Sequence, residues 1–160
     1  MIVFHGSNQI VKEPDVSHSF RSLDFGGGFY VTTVREQAVR WARRKALFSP
    51  ETATLNIYQM NEDGAGLKIL DFGEDLSSWI KFVCDCRDGG TCYRQFDVIK
   101  GKVADDKVFR VVDMYHSGAW DIDRAIKEMK AYSTYDQMNF VTQNAIDRLL
   151  KFERFEKVSS

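Results

Sequence analysis

Three stretches of the sequence combine residue types suited to holding a ligand. Phe4-His5-Gly6-Ser7 ends the first apolar run, Phe25-Gly26-Gly27-Gly28-Phe29-Tyr30 follows, and Tyr135-Asp136-Gln137-Met138-Asn139-Phe140 lies late in the chain. His5 can donate and accept hydrogen bonds near neutral pH. Ser7 adds a hydroxyl, and Gly6 lets a ligand approach the backbone closely. Tyr30 offers a flat face for stacking, and Gly28 lets its strand pass beneath a flat ligand. Gln137 contributes an uncharged amide acceptor.

Other motif readings are weaker. The glycine run lacks the spacing of a dinucleotide fingerprint and the Lys-Ser/Thr of a phosphate loop. Cys84, Cys86 and Cys92 form one close pair and a third thiol, and a fourth metal ligand would have to come from His116, His18 or a distant acid. Structural zinc sites use two close pairs, so no metal is expected. Arg21, in the loop before the glycines, either reaches a pyrophosphate or is solvated. Arg35, Arg40, Arg43, Arg44 and Lys45 form a basic helix face that is either solvated or set against phosphates. Asp105-Asp106 is read as a helix cap rather than a catalytic pair.

The three stretches resemble the motifs of ADP-ribosyltransferases of the His-Tyr-Glu type, in their order and spacing. Phe4-His5-Gly6-Ser7 is similar to the first motif and Phe25 to Tyr30 to the second. Tyr135 to Phe140 stands where the third belongs, with Gln137 in place of the usual glutamate. Most of the chain also resembles an uncharacterised bacterial branch of that superfamily, related to diphtheria-toxin and poly(ADP-ribose) polymerase folds. That branch has the His-Gly-Ser start, the Asp-Phe-Gly-x-Gly-Phe-Tyr-x-Thr-Thr block, Gln37-Ala38, and a Gly-x-x-Ala-Asp-Asp segment matched by Gly101 to Asp106.

The resemblance implies split antiparallel sheets with peripheral helices, and NAD as the substrate. His5, Gly6, Ser7, Arg21, Gly28, Tyr30 and Trp41 would bind it, and His5, Tyr30 and Gln137 would act in catalysis. Gly6 would hold the nicotinamide amide, Tyr30 would stack the ring and His5 would bond a ribose hydroxyl. Trp41 is either a second aromatic of the pocket or a core residue of its helix. The implied activity is mono-ADP-ribosyl transfer or NAD hydrolysis by a toxin or effector. The acceptor is a protein, a nucleic acid, a small molecule or water, and an antitoxin or immunity protein is a further partner. The alternative is a binding module in which Gln137 marks lost chemistry.

These residues need a frame. The 160 residues fit one domain over residues 1–160, and 44% hydrophobic with 28% charged residues is a globular composition. A net charge of −1 gives no support for binding nucleic acid through bulk charge. No apolar run approaches a membrane span, no leader pattern opens the chain, and three cysteines suit a reducing compartment, so the expected location is cytoplasmic.

Apolar periodicity predicts strands at Ile2–Phe4, Phe29–Thr33, Thr54–Met60, Leu67–Phe72, Phe96–Ile99, Met138–Val141 and Phe152–Val158. The third and fourth read as a hairpin across Asn61–Gly66. Helices are predicted after a Thr33-x-x-Glu36 capping box, and over 74–86, 107–115, 121–132 and 143–151. Residues 7–24 read as a long loop. Strands and helices intermix without a βαβ rhythm, so the fold class is α+β.

Overall fold

A computed structural model of the protein describes residues 1–18, 24–104, 106–132 and 135–159. Arg21 and Asp105 lie outside the described residues. The strands are β1 (Ile2–Ser7), β2 (Phe29–Val31), β3 (Thr54–Met60), β4 (Ile69–Asp71), β5 (Val98–Lys102), β6 (Asp136–Phe140) and β7 (Leu150–Lys157). The helices are α1 (Arg35–Ala46), α2 (Leu76–Arg87), α3 (Asp106–His116), α4 (Ile122–Lys130) and α5 (Gln143–Leu149). The fold is α+β, with one sheet ordered β1-β3-β7 and a second ordered β2-β6-β5-β4.

The side chains sort these elements into four layers. Val3 and Tyr58 from the first sheet share a buried cluster with Phe29, Val31, Met138 and Phe140 from the second. The two sheets therefore pack face to face. Ala38 and Val39 of α1 cover Leu55 and Ile57 on the outer face of the first sheet. On the outer face of the second sheet, Tyr30 and Ile99 pack with Trp79, Ile80 and Val83 of α2, Val111 of α3 and Met129 of α4. Neighbours on a strand face opposite ways. Phe29 and Val31 therefore point inward and Tyr30 outward.

The sheets meet at β1 and β2. Phe4 and Thr32 exchange two backbone hydrogen bonds, of 2.8 and 3.0 Å. β2 then pairs with β6, Tyr30 opposite Asn139 and Val31 opposite Met138.

The expected hairpin of β3 and β4 does not form. β3 is the central strand of its sheet, already paired with β1 and β7, so it has no free edge. The Asn61–Gly66 turn instead carries the chain to the other sheet. There β4 pairs parallel with β5 across α2, a single βαβ unit within the otherwise antiparallel arrangement. Nor does Thr33 cap α1. Its hydroxyl and amide go to Asp136 on β6 instead, at 2.6 and 3.2 Å, and the N-cap position falls on Val34. The amide that a capping box would give to the Glu36 side chain is thus taken by Asp136.

Gly6 has a packing role. A Cβ there would overlap the Ala38 carbonyl and come within 2.6 Å of the Ala42 amide. Both are backbone atoms of α1, so the helix can lie this close to β1 only over a glycine. Gly6→Ala should lower the unfolding free energy by about 1–3 kcal/mol through overpacking. Denaturant unfolding of the two proteins measures this, and an unchanged midpoint would mean that α1 does not sit on Gly6.

Candidate functional site

His5 lies between the sheets. It is buried, its ring is stacked on Phe29 with centroids 4.3 Å apart, and Nδ1 is 2.6 Å from the Tyr30 carbonyl. A carbonyl only accepts, so Nδ1 carries the proton in this contact. Ser7 is also buried, and its hydroxyl accepts from the Gln9 amide at 3.2 Å. The Gly6 carbonyl accepts from the Lys45 ammonium at 2.9 Å. Loss of solvent around that ammonium lowers the Lys45 pKa to about 8, although much of the side chain is exposed.

Tyr30 points the other way, into the cluster on the outer face of the second sheet, and is 8% exposed. Its hydroxyl accepts from the Phe25 amide at 3.0 Å and donates to the Gly26 carbonyl at 2.5 Å. Burial pushes the phenol pKa well up, so it stays a donor. The rings of His5 and Tyr30 therefore lie on opposite sides of β2. His5 meets Tyr30 at its backbone carbonyl.

The glycine run lies on β6. Asn139 is fully buried and donates through Nδ2 to the carbonyls of Phe25 and Gly27, at 2.8 and 3.2 Å. Gly28 has φ +148°, and a Cβ there would overlap Asn139 Oδ1 and come within 2.6 Å of the Phe140 carbonyl. Only glycine meets both conditions. The close approach that sequence reasoning assigns to a ligand is here an approach to β6.

Gln137 is 4% exposed and lies on the same outer face as Tyr30 and Asn139, two residues along β6 from the latter. Its Nε2 donates to the Lys102 carbonyl at 3.2 Å and to Asp24 Oδ2 at 3.4 Å. Asp136, its neighbour, faces away and binds Thr32 and Thr33. Gln137 also lines an open groove of about 470 Å³ across β4, β5 and β6, with Asp71, Lys100 and Asp136. His5, Tyr30 and Trp41 do not line it. Trp41 is half-buried and belongs to none of the buried clusters among the described residues.

Asp24 is the residue that sequence reasoning missed. The Ala104 amide donates to its Oδ2 at 3.2 Å, and Arg87 Nη2 lies 3.5 Å from its Oδ1. Burial raises the Asp24 pKa above 3.8, against the opposing effects of Arg87, the Ala104 amide and Gln137. Arg87 also pairs with Asp113 at 3.4 Å and lies 4.0 Å over the Phe109 ring. The only local hint was an acid placed directly before Phe25-Gly26.

Residues 1–152 match the model of a family described as "Protein of unknown function (DUF3990)". The chain belongs to that family. No curated protein and no solved structure matches the chain. Among the described residues no group of three His, Cys, Asp or Glu side chains is placed to hold a metal, and no helix is long and apolar enough to cross a membrane. Burial raises the thiol pKa of Cys86 to about 12 and of Cys92 to about 11, which keeps both protonated at neutral pH.

The raised pKa of Asp24 has a thermodynamic consequence. The native state holds this proton more readily than the unfolded chain does, so stability falls as the pH rises from 3.8 through the raised value. Asp24→Asn cannot titrate there. The unfolding free energy of wild type minus that of the variant should therefore decrease across the window. A difference that stays flat between about pH 4 and pH 8 would show that Asp24 ionises normally.

Proposed function

We propose that the chain cleaves NAD between nicotinamide and ribose, as a mono-ADP-ribosyltransferase or NAD glycohydrolase with an ADP-ribosyltransferase-like split-sheet fold. One observation carries the reading: the three motif segments, far apart in sequence, converge on β2. His5 bonds the Tyr30 carbonyl, Phe4 bridges Thr32, and the strand of Gln137 is the ladder partner of β2.

In this reaction the C–N bond breaks with its electron pair leaving on nicotinamide, which departs neutral. Positive charge grows on the ribose until an acceptor oxygen or nitrogen attacks and gives up its proton. An acceptor fixed on a ribose hydroxyl lowers the barrier by orientation and by opposing that charge. Gln137 fills this role through Oε1, without the charge of a glutamate. Nicotinamide binding at the Gly6 carbonyl would displace the Lys45 ammonium, and stacking on Tyr30 would require the 24–28 loop to shift.

Those two requirements, with the glutamine, favour the second reading. In it the chain keeps NAD binding, as a sensor or a partner-binding subunit, and has little chemistry. In the first reading the acceptor is a protein, a nucleic acid, a small molecule or water, and an antitoxin or immunity protein would block the site.

Two measurements separate these readings. Millimolar NAD should raise the melting temperature in both, since a ligand selective for the native state stabilises it. Nicotinamide release should occur only in the first, and Gln137→Ala should slow it by about 10²-fold with a smaller change in NAD affinity. No thermal shift defeats both readings. Release by Gln137→Ala at the wild-type rate would mean that Gln137 is not the third-motif residue.

A further inference from the structure

Two acceptors surround the amino group of the Gln137 amide. The Asp24 carboxylate and the Lys102 carbonyl lie 3.4 and 3.2 Å from Nε2, and with Asp24 ionised both only accept. The amide must therefore turn its NH2 toward them, giving one proton to each. Its carbonyl oxygen, Oε1, is left for a ligand, and no donor among the described residues contacts it. Asp24 is itself fixed, by the Ala104 amide on Oδ2 and Arg87 on Oδ1.

Asp24 does not have its guanidinium partner to itself. Arg87 is shared between two carboxylates, Asp24 at 3.5 Å and Asp113 at 3.4 Å. One guanidinium between two carboxylates leaves one negative charge. The Asp24 and Arg87 side chains are 19% and 18% exposed, while Asp113 is 56% exposed, so solvent screens Asp24 less than its competitor.

We propose that Asp24 is the positioning residue for Gln137, holding Oε1 toward the substrate and supplying from behind the amide the negative charge that residue 137 lacks. A carboxylate that accepts from an amide N–H polarises the amide, and such cooperativity strengthens the next hydrogen bond, here to the amide oxygen, by about 10–30%. Oε1 then becomes a better acceptor for the ribose hydroxyl as the cation forms. The inference rests on the NAD-cleaving reading.

Asp24 also sets what a carboxylate at 137 should do. Gln137→Glu would put two carboxylates within hydrogen-bond distance and face the Lys102 carbonyl with another acceptor. Like charges that close cannot both ionise, so one would keep a proton. Gln137→Glu should therefore not gain activity while Asp24 is present.

The test is nicotinamide release and NAD affinity for wild type, Asp24→Asn, Gln137→Ala and the double variant, at equal folded concentration. Asp24→Asn should lower kcat about tenfold or more and leave KM within about threefold. The double variant should turn over within about threefold of Gln137→Ala, because Asp24 acts through the amide. Losses that multiply in the double variant, or turnover in Asp24→Asn equal to wild type, would overturn the inference while leaving the NAD reading intact. If wild type releases no nicotinamide, the reading fails and takes this inference with it. Should Asp24→Asn not fold, Asp24→Ser is neutral, leaves room for a water, and is judged by the same outcomes.

Discussion

The contact between Asp24 and Gln137 depends on the 24–28 loop lying flat against β6. Three groups hold it there. Asn139 takes the carbonyls on either side of Gly26, the Tyr30 hydroxyl closes the turn from Phe25 to Gly26, and Gly28 lets the backbone touch β6. Asn139 and Tyr30 face each other across the β2–β6 ladder. A loop clamped by its own sheet in this way delivers Asp24 to Gln137. Without the clamp the carboxylate would have no reason to leave water, since its burial is unfavourable and only partly offset by Arg87 and the Ala104 amide.

The layers give the site its particular form. His5 belongs to the inter-sheet layer, while Tyr30 and Gln137 belong to the outer face of the second sheet. What links them is backbone, the His5 ring on the Tyr30 carbonyl. His5 thus fixes β2 from one side, and the loop with Asp24 fixes it from the other. A ligand that used all three motifs would have to reach both sides of β2 at the end where Gln137 meets the groove, or displace the loop from Tyr30.

Much of the fold is legible locally. Leu76, Trp79, Ile80 and Val83 recur at helical spacing, and they form the buried face of α2. β1, β2, β3 and β6 fall within a few residues of their apolar runs. What cannot be read is pairing. Nothing in Thr54–Met60 says that two other strands will flank it, so a turn followed by a second apolar run looks like a hairpin. Thr33-x-x-Glu36 has the letters of a capping box, but Asp136, more than a hundred residues away, takes the Thr33 amide that Glu36 would bond. The site fails to read for the same reason. Gln137 and the glycine run stand out by type and order, whereas the Asp24–Gln137 contact spans 113 residues with no local periodicity to announce it. Gly6 and Gly28 stand out too, but their first service is to let α1 and β6 approach, which spacing alone does not distinguish from room for a ligand.

The central claim is that Gln137, oriented by its two acceptors, presents Oε1 to a ribose of NAD. Solution NMR of the side-chain amide of Gln137 tests it most directly, with the resonance assigned through its loss in Gln137→Ala. NAD titrated to millimolar concentration should shift this side-chain resonance, together with backbone amides of the 24–28 loop. A saturating titration that moves other parts of the protein but leaves the Gln137 amide and that loop unchanged would contradict it.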